Sequence, residues 1–126
     1  MKDVSTTIKC NDKEYKLIFN LNVMEDIQEK YGTIGKWGAL CEPGGTEEKG
    51  KEPDIAALKY GFWAMLNEGI DIENEKNGTN IPSLTLRQVG RIITNFGAEN
   101  AVKALNDTVI ESSKNMEKNE SSTKNQ

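Results

Sequence analysis

Apolar and polar positions alternate in the first part of the chain. After a β-prone run over residues 6–10, Asn11 and Asp12 have turn chemistry, because both residue types tolerate left-handed backbone and hydrogen-bond to it locally. The apolar positions of the return run share one side: Tyr15, Leu17, Phe19 and Leu21. The other side takes Lys16, Ile18 and Asn20. This period-two pattern predicts an antiparallel β-hairpin that is covered on one face only.

Helical spacing replaces the alternation after the hairpin. Asn22 is expected to cap a helix, with Glu25 three residues later completing a capping box. Gly32 stands at the position that glycine usually occupies after the last turn of a helix. Thr33 is then expected to cap a second, shorter helix that runs through Leu40.

The segment from Asp54 to about Asn67 predicts the most apolar helix of the chain. Asp54 has N-cap chemistry, and Lys59 is the only charged residue from 55 to 66. A helix that is apolar on nearly all sides either lies at the centre of its domain or gives a second face to a partner protein. Both hypotheses are open on the sequence. Under the second, the predicted protein-binding residues are Tyr60, Trp63 and Trp37.

Two further helices are predicted in the last third of the chain. Thr85 and Gln88 form a capping box ahead of one helix, and Gly97 separates that helix from the next. A single apolar stripe marks the last helix: Ala98, Ala101, Val102, Leu105 and Val109. Residues 113–126 include one apolar side chain, Met116, which predicts a disordered tail.

Two segments between the helices are predicted as loops. Residues 41–53 are rich in glycine, proline and charge, and residues 68–82 in asparagine and acids. The first is long for a connection within a compact domain, so it is either a mobile functional loop or a tolerated insertion. The elements together predict an α+β fold in which an N-terminal β-hairpin packs against a small bundle of about four helices. Residues 1–112 form this single domain, as expected for a chain of 126 residues.

Composition and charge exclude most catalytic chemistry. The chain has no histidine, so it has neither Ser/His/Asp nor Cys/His nucleophile pairs. A calcium loop centred on Gly78 would place Leu84 where a bidentate glutamate is required. We therefore expect no enzyme activity, no cofactor and no metal. The two cysteines, Cys10 and Cys41, are too few for a disulfide framework and are expected to be reduced in a cytosolic protein.

The net charge and the lengths of the apolar stretches argue against two classes of partner. The formal net charge is −4, and the helix after Gly97 supplies mainly neutral and acidic side chains, which disfavours a nucleic-acid partner. No apolar stretch approaches the roughly 20 residues that cross a bilayer, and the first residues have no apolar core of a signal peptide, so no membrane partner is expected.

Three parts of the chain resemble a known pattern. The run over residues 13–32, KEYKLIFNLNVMEDIQEKYG, is similar to the opening of siphophage tail assembly chaperones, which have a hairpin with a Lys-x-Tyr-x-Leu run and then a helix ending in Tyr/Phe-Gly. The apolar helix at 56–69 and the Leu-Thr-x-x-x-Val helix at 84–93 continue the family order. The similarity covers residues 8–96, and the tract at 41–53 is longer than in the family pattern.

The resemblance implies a non-enzymatic chaperone in the bacterial host cytoplasm. Its partners would be the tape measure protein, which it keeps soluble, and the tail tube protein, which it helps to recruit. Family members are often made in two lengths by a −1 frameshift, and Lys-Asn pairs that suit a slippery heptamer occur at Lys114-Asn115, Lys118-Asn119 and Lys124-Asn125. The alternative is a small structural or regulatory prophage protein that forms an obligate homo-oligomer.

Overall fold

A computed structural model describes residues 5–42 and 53–124, with side chains through residue 115. The elements are β1 (Ser5–Cys10), β2 (Lys13–Ile18), α1 (Leu21–Tyr31), α2 (Ile34–Cys41), α3 (Ile55–Asn77), α4 (Leu86–Phe96) and α5 (Ala98–Lys124). The predicted α+β class is confirmed, since a two-stranded antiparallel hairpin precedes five helices in these residues, one more than the expected four or so.

The hairpin turns where the sequence predicted. Asn11 and Asp12 have φ angles of 50° and 67°, and Cys10 pairs with Lys13 across the turn. Two consecutive residues of positive φ match the right-handed twist of the strands that they connect. The turn chemistry of Asn and Asp therefore sets the register of the whole hairpin.

The predicted alternation on β2 is wrong at two positions. Ile18 is buried although it was placed on the wet side, and Leu21, placed on the covered side, is 72% exposed. The strand ends at Ile18, so the period of two does not extend to Leu21, which begins α1. Ile18 is buried because α3 crosses close to β2, where an added Cβ on Gly69 would lie 2.9 Å from the Lys16 carbonyl oxygen.

The cap of α1 is Asn20 and not Asn22. The Asn20 Oδ1 atom accepts a hydrogen bond of 3.2 Å from the Val23 backbone N–H. The side-chain amides of Asn20 and Asn22 both donate to one carboxylate oxygen of Glu68 on α3, at 2.6 and 3.1 Å. The cap is a local bond, and the contact with Glu68 ties the start of α1 to α3.

Helix α3 extends ten residues beyond its predicted end at Asn67, to Asn77. Residues 68–77 were predicted as part of a loop, and that interpretation is wrong. The helix ends at Gly78, whose φ of 66° is the left-handed conformation that glycine adopts readily after a helix.

Helix α3 also organises the core. It packs against β2 and against every other helix. The α3 side chains buried in the core come from Ala57, Leu58, Phe62, Ala64, Met65 and Leu66. The long connection between α2 and α3 was predicted as a loop, of which residues 43–52 lie outside the described residues. Its two ends are joined by the Asp54 N–H, which donates to the Leu40 carbonyl oxygen at 2.7 Å.

The boundaries of α4 are those that the sequence predicted, but α5 is longer. Thr85 and Gln88 form the expected capping box, and Gly97 ends α4 with a φ of 99°. The backbone of α5 is helical to Lys124, whereas no regular structure was predicted after Ser112. Residues 113–124 have no glycine or proline to end the helix; five of the twelve are Glu or Lys, which are good helix formers, and six are Ser, Asn or Thr, which are weaker ones.

Candidate protein-binding surface

Four partly exposed side chains form a continuous surface that we call the aromatic strip. Tyr31 lies at the end of α1, Tyr60 and Trp63 lie one turn apart on α3, and Leu84 precedes α4. The Tyr31 and Tyr60 ring centroids are 5.8 Å apart in an edge-to-face arrangement, and those of Tyr60 and Trp63 are 5.4 Å apart. Aromatic pairs at these distances stabilise one another beyond simple burial.

The polar side-chain atoms of Tyr60 and Trp63 are bonded within the protein. The Tyr60 hydroxyl donates to the Asp26 carbonyl oxygen at 3.1 Å, and the Trp63 indole N–H donates to the Leu84 carbonyl oxygen at 3.0 Å. These bonds hold two rings in defined positions before any partner arrives. A partner would therefore contact ring faces that lose little conformational entropy on binding.

An extended segment, residues 79–85, runs beside the strip and is held by two asparagines of α3. Asn67 accepts from the Leu84 N–H at 2.8 Å and donates to the Leu84 carbonyl oxygen at 3.1 Å. Asn74 makes the same pair of bonds to Ile81, at 2.9 and 3.0 Å. Each amide replaces the backbone partner that a neighbouring β-strand would supply. Ile81 thus continues the line of the strip along α3, and its side chain is 40% exposed.

Three carboxylates act electrostatically on the two tyrosines of the strip: Asp26, Glu29 and Asp54. Burial, and after it the charges of Asp26 and Glu29, raise the pKa of Tyr60. The pKa of Tyr31 is raised by burial and then by Asp54. One cation, the Lys30 ammonium, lies 5.7 Å from the centroid of the Tyr60 ring. Charged side chains of both signs therefore act on the tyrosines of the strip.

The predicted protein-binding residues separate into two groups. Tyr60 and Trp63 lie side by side at the surface, where their binding role stays a prediction. Trp37 is corrected to a core residue, because it is 1% exposed and its indole N–H donates to the Ala57 carbonyl oxygen at 3.0 Å. Gly61 leaves the space that the Trp37 ring occupies.

The structure confirms the first hypothesis about α3, and the second, a face for a partner protein, stays a prediction. The helix is central in the domain, yet Tyr60 and Trp63 keep one of its faces partly open. The sequence analysis missed Tyr31 and Leu84 as surface residues, because it treated Tyr31 only as part of the motif that ends the first helix and Leu84 as the start of a helix. Of the strip residues, only Tyr60 and Trp63 had a spacing in the sequence that indicated a shared surface.

Other features of the described residues provide weaker evidence of a functional site. In the described residues, no three metal-ligating side chains cluster, and no helix there has the length and apolarity to cross a membrane. Burial, followed by the charges of Asp54 and Glu42, raises the pKa of Cys41 to about 12, so this thiol stays protonated and unreactive. A small cavity of about 140 Å³ lies between α3 and α4, and it is lined by Ile55, Leu58, Lys59, Gly90, Ile93, Thr94 and Ala98.

Comparisons with known proteins found no match. No family model, curated protein or solved structure matches this chain. The similarity of residues 8–96 to tail assembly chaperones therefore serves below as the basis of a proposal, together with the geometry of the aromatic strip.

Proposed function

We propose that this protein is a non-enzymatic chaperone of phage tail assembly that acts in the bacterial host cytoplasm. It binds the tape measure protein, keeps that long helical chain soluble and helps to recruit tail tube subunits. The single observation that carries the proposal is the aromatic strip, in which Tyr60 and Trp63 are fixed by internal hydrogen bonds and yet remain partly exposed. The resemblance of residues 8–96 to the family supplies the identity of the partners.

The strip has the chemistry of a contact surface for an apolar helix face. Tyrosine and tryptophan are enriched among the residues that dominate binding energy at protein interfaces. Amphipathic helices commonly bind by laying their apolar side chains into such surfaces. A chaperone of this kind needs a contact that many copies can repeat along one extended helix.

The size of the strip favours weak, reversible contacts. A fully buried aromatic side chain contributes about 150–250 Å², and the rings here are already partly buried. The strip alone therefore falls below the roughly 1,200 Å² of a stable interface. Affinity for a long partner would come from many copies bound along it, which also permits their later release.

Co-expression with the partner tests the proposal. The product of the very long reading frame expected directly downstream of this gene is expressed with and without this chain, and its soluble fraction is measured. We expect the long protein to be soluble only when this chain is present. A downstream region without such a reading frame, or a long protein whose solubility does not depend on this chain, would contradict the proposal.

A matched pair of variants connects the effect to the strip. Ile81→Asp places a charge at the end of the strip, whereas Ile110→Asp places the same charge at an isoleucine of α5 that is 51% exposed. We expect the first variant to lose the solubilising effect and the second to keep it. Light scattering of the free chain addresses the alternative of an obligate homo-oligomer, since a fixed oligomer that dissociates only on unfolding would favour that alternative.

A further inference from the structure

The cavity of about 140 Å³ between α3 and α4 has room for a side chain of another molecule. Ile55 and Thr94 in its lining are exposed, and Gly90 has no side chain to fill the space against α3. The Thr94 hydroxyl donates to the Gly90 carbonyl oxygen at 2.8 Å, so its hydrogen bond is made within α4. In other proteins an apolar cavity of about 150 Å³ binds benzene, so a leucine-sized side chain fits in this one.

Lys59 is the charged residue of the lining. A Cβ atom built on Gly90 would lie 3.2 Å from the Lys59 Cε and 3.4 Å from its Nζ, so the side chain extends from α3 to α4 across the glycine. Lysine commonly lays its methylene stem along apolar surface and keeps its ammonium in water. The cavity thus combines an apolar lining with one positive charge.

Two exposed arginines of α4, the only arginines of the chain, lie next to the cavity. Arg87 precedes Gly90 by three residues, and Arg91 precedes Thr94 by three. Residues three apart are neighbours on a helix surface, so each arginine adjoins a residue of the lining. Guanidinium groups bind carboxylates through paired hydrogen bonds. We call the cavity with Lys59, Arg87 and Arg91 the basic pocket.

Two carboxylates lie toward the other end of the pocket. Asp54 precedes Ile55, and its carboxylate caps α3 by accepting from the Ala57 N–H at 3.0 Å. Glu99 follows Ala98 in the first turn of α5. The three cations therefore outnumber the carboxylates beside the cavity, although the net charge of the whole chain is −4.

We propose that the basic pocket binds an acidic segment of a partner protein: one leucine-sized side chain enters the cavity, and neighbouring Asp or Glu side chains pair with Lys59, Arg87 and Arg91. Burial of the apolar side chain supplies affinity, and the charge pairs supply the preference for an acidic segment. The inference goes beyond the proposed function, because the pocket shares no residue with the aromatic strip.

Other occupants fit the basic pocket less well. A nucleic acid would place phosphates on the cations and leave the apolar cavity empty. A two-fold dimer brings the same patch of both subunits together, so the cations of the pocket would face those of its own copy. Like charges opposite each other disfavour that contact.

Three synthetic peptides of equal length test the inference with the full chain. The first has a central Leu flanked by Glu, the second a central Ala flanked by Glu, and the third a central Leu flanked by Lys. In titrations followed by NMR, we expect the Glu–Leu peptide to bind at least about fivefold more tightly than either control at about 50 mM salt, and less tightly at about 500 mM. Equal binding of the Leu and Ala peptides, or tighter binding of the Lys peptide, would overturn the inference.

A pair of glycine variants tests the role of the cavity. Gly90→Leu places a side chain in the cavity, and the atoms that its Cβ meets belong to the flexible end of Lys59, so the chain should still fold. Gly38→Leu makes the same change where an added Cβ meets no heavy atom within 4 Å. We expect Gly90→Leu to weaken binding of the Glu–Leu peptide at least about fivefold and Gly38→Leu to change it less than about twofold. Equal effects would contradict binding in the cavity.

A pair of lysine variants tests the charge and does not depend on how Gly90→Leu folds. Lys59→Met removes the ammonium and keeps an apolar stem, whereas Lys76→Met removes a charge from an exposed position at the end of α3. We expect Lys59→Met to weaken binding of the Glu–Leu peptide about three- to tenfold and Lys76→Met to change it less than about twofold. Binding that is the same in both variants would contradict the role of Lys59.

Two further results would assign the pocket to a different occupant and overturn the inference. One is a lower molar mass of the free chain on Gly90→Leu in light scattering, which would show that a second copy fills the cavity. The other is tighter binding of a short DNA strand than of the Glu–Leu peptide. The proposed function is tested separately, since solubility of the tape measure protein depends on the aromatic strip and peptide binding on the basic pocket.

Discussion

Substitution of Gly61 by alanine is expected to destabilise the domain strongly. An ideal Cβ at Gly61 would lie 2.3 Å from Cζ2 and 2.9 Å from Cε2 of Trp37. Ordinary contacts between carbon atoms are about 3.5–4.0 Å, so the ring must move by more than 1 Å. Trp37 is 1% exposed and has no solvent to move into. The movement would also disturb the bond from its indole N–H to the Ala57 carbonyl oxygen.

The free energy of unfolding should fall by about 3 kcal/mol. Overpacking a core costs about 1–3 kcal/mol, and loss of a buried indole hydrogen bond about 1–3 kcal/mol. Replacement of glycine by alanine within a helix returns about 1 kcal/mol. For a domain of this size the loss corresponds to a decrease in Tm of about 10 °C, measurable by circular dichroism with a parallel urea titration.

Gly38→Ala is the matched control, because an added Cβ there would meet no heavy atom within 4 Å. This variant is expected to be neutral or up to about 1 kcal/mol more stable. In a Trp37→Leu background, Gly61→Ala should cost much less than in the native chain, because the ring that it meets is gone. Full additivity of the two substitutions, or a Gly61→Ala variant as stable as Gly38→Ala, would refute the reasoning.

Four further predictions follow from other contacts. Trp63→Ser should cost about 1–2 kcal/mol, less than the 3–5 kcal/mol of a fully buried aromatic, and should abolish the solubilising effect on the tape measure protein; a loss of folding would assign Trp63 to the core. Asn67→Ala with Asn74→Ala should lower the unfolding free energy by about 2–4 kcal/mol, whereas Asn80→Ala should change it by less than about 0.5 kcal/mol. Because the folded-state pKa of Cys41 is raised from 9.0 to about 12, the folded chain keeps a proton that the unfolded chain loses, so stability should fall as the pH rises above about 9; the Cys41→Ala variant should have a smaller slope, and the part that remains comes from Tyr31 and Tyr60, whose pKa values are also raised. The gene should contain a slippery heptamer over codons 110–126 with an overlapping −1 frame, and its absence from the nucleotide sequence would end the frameshift hypothesis.

Local chemistry was sufficient to predict the ends of several elements. The Asn11–Asp12 turn, the Thr85–Gln88 capping box and the Gly97 break all depend on residues within a few positions of one another. The start of α1 and the end of α3 were wrong although both have local caps, because Asn22 was preferred to Asn20 and the Asn- and acid-rich residues before Gly78 were interpreted as a loop. Contacts with residues farther along the chain then hold both regions in place. Glu68 holds the Asn20 and Asn22 side chains, and Asn74 holds Ile81.

The candidate site likewise divides into residues that the sequence predicted and residues that it did not. The spacing of Tyr60 and Trp63 on one helix predicted a shared face, and the structure places them together. Tyr31 joins them only through the packing of α1 on α3, which periodicity does not report. Trp37 was misassigned because its burial depends on the space left by Gly61, and no pattern in the sequence links those two positions.

Hydrogen–deuterium exchange of the complex with the tape measure protein tests the central claim most directly. The account predicts that binding adds protection at the end of α1, along residues 60–67 of α3 and in residues 79–85, with little change in the hairpin. Protection confined to the hairpin or to α5, with the aromatic strip exchanging as in the free chain, would contradict it.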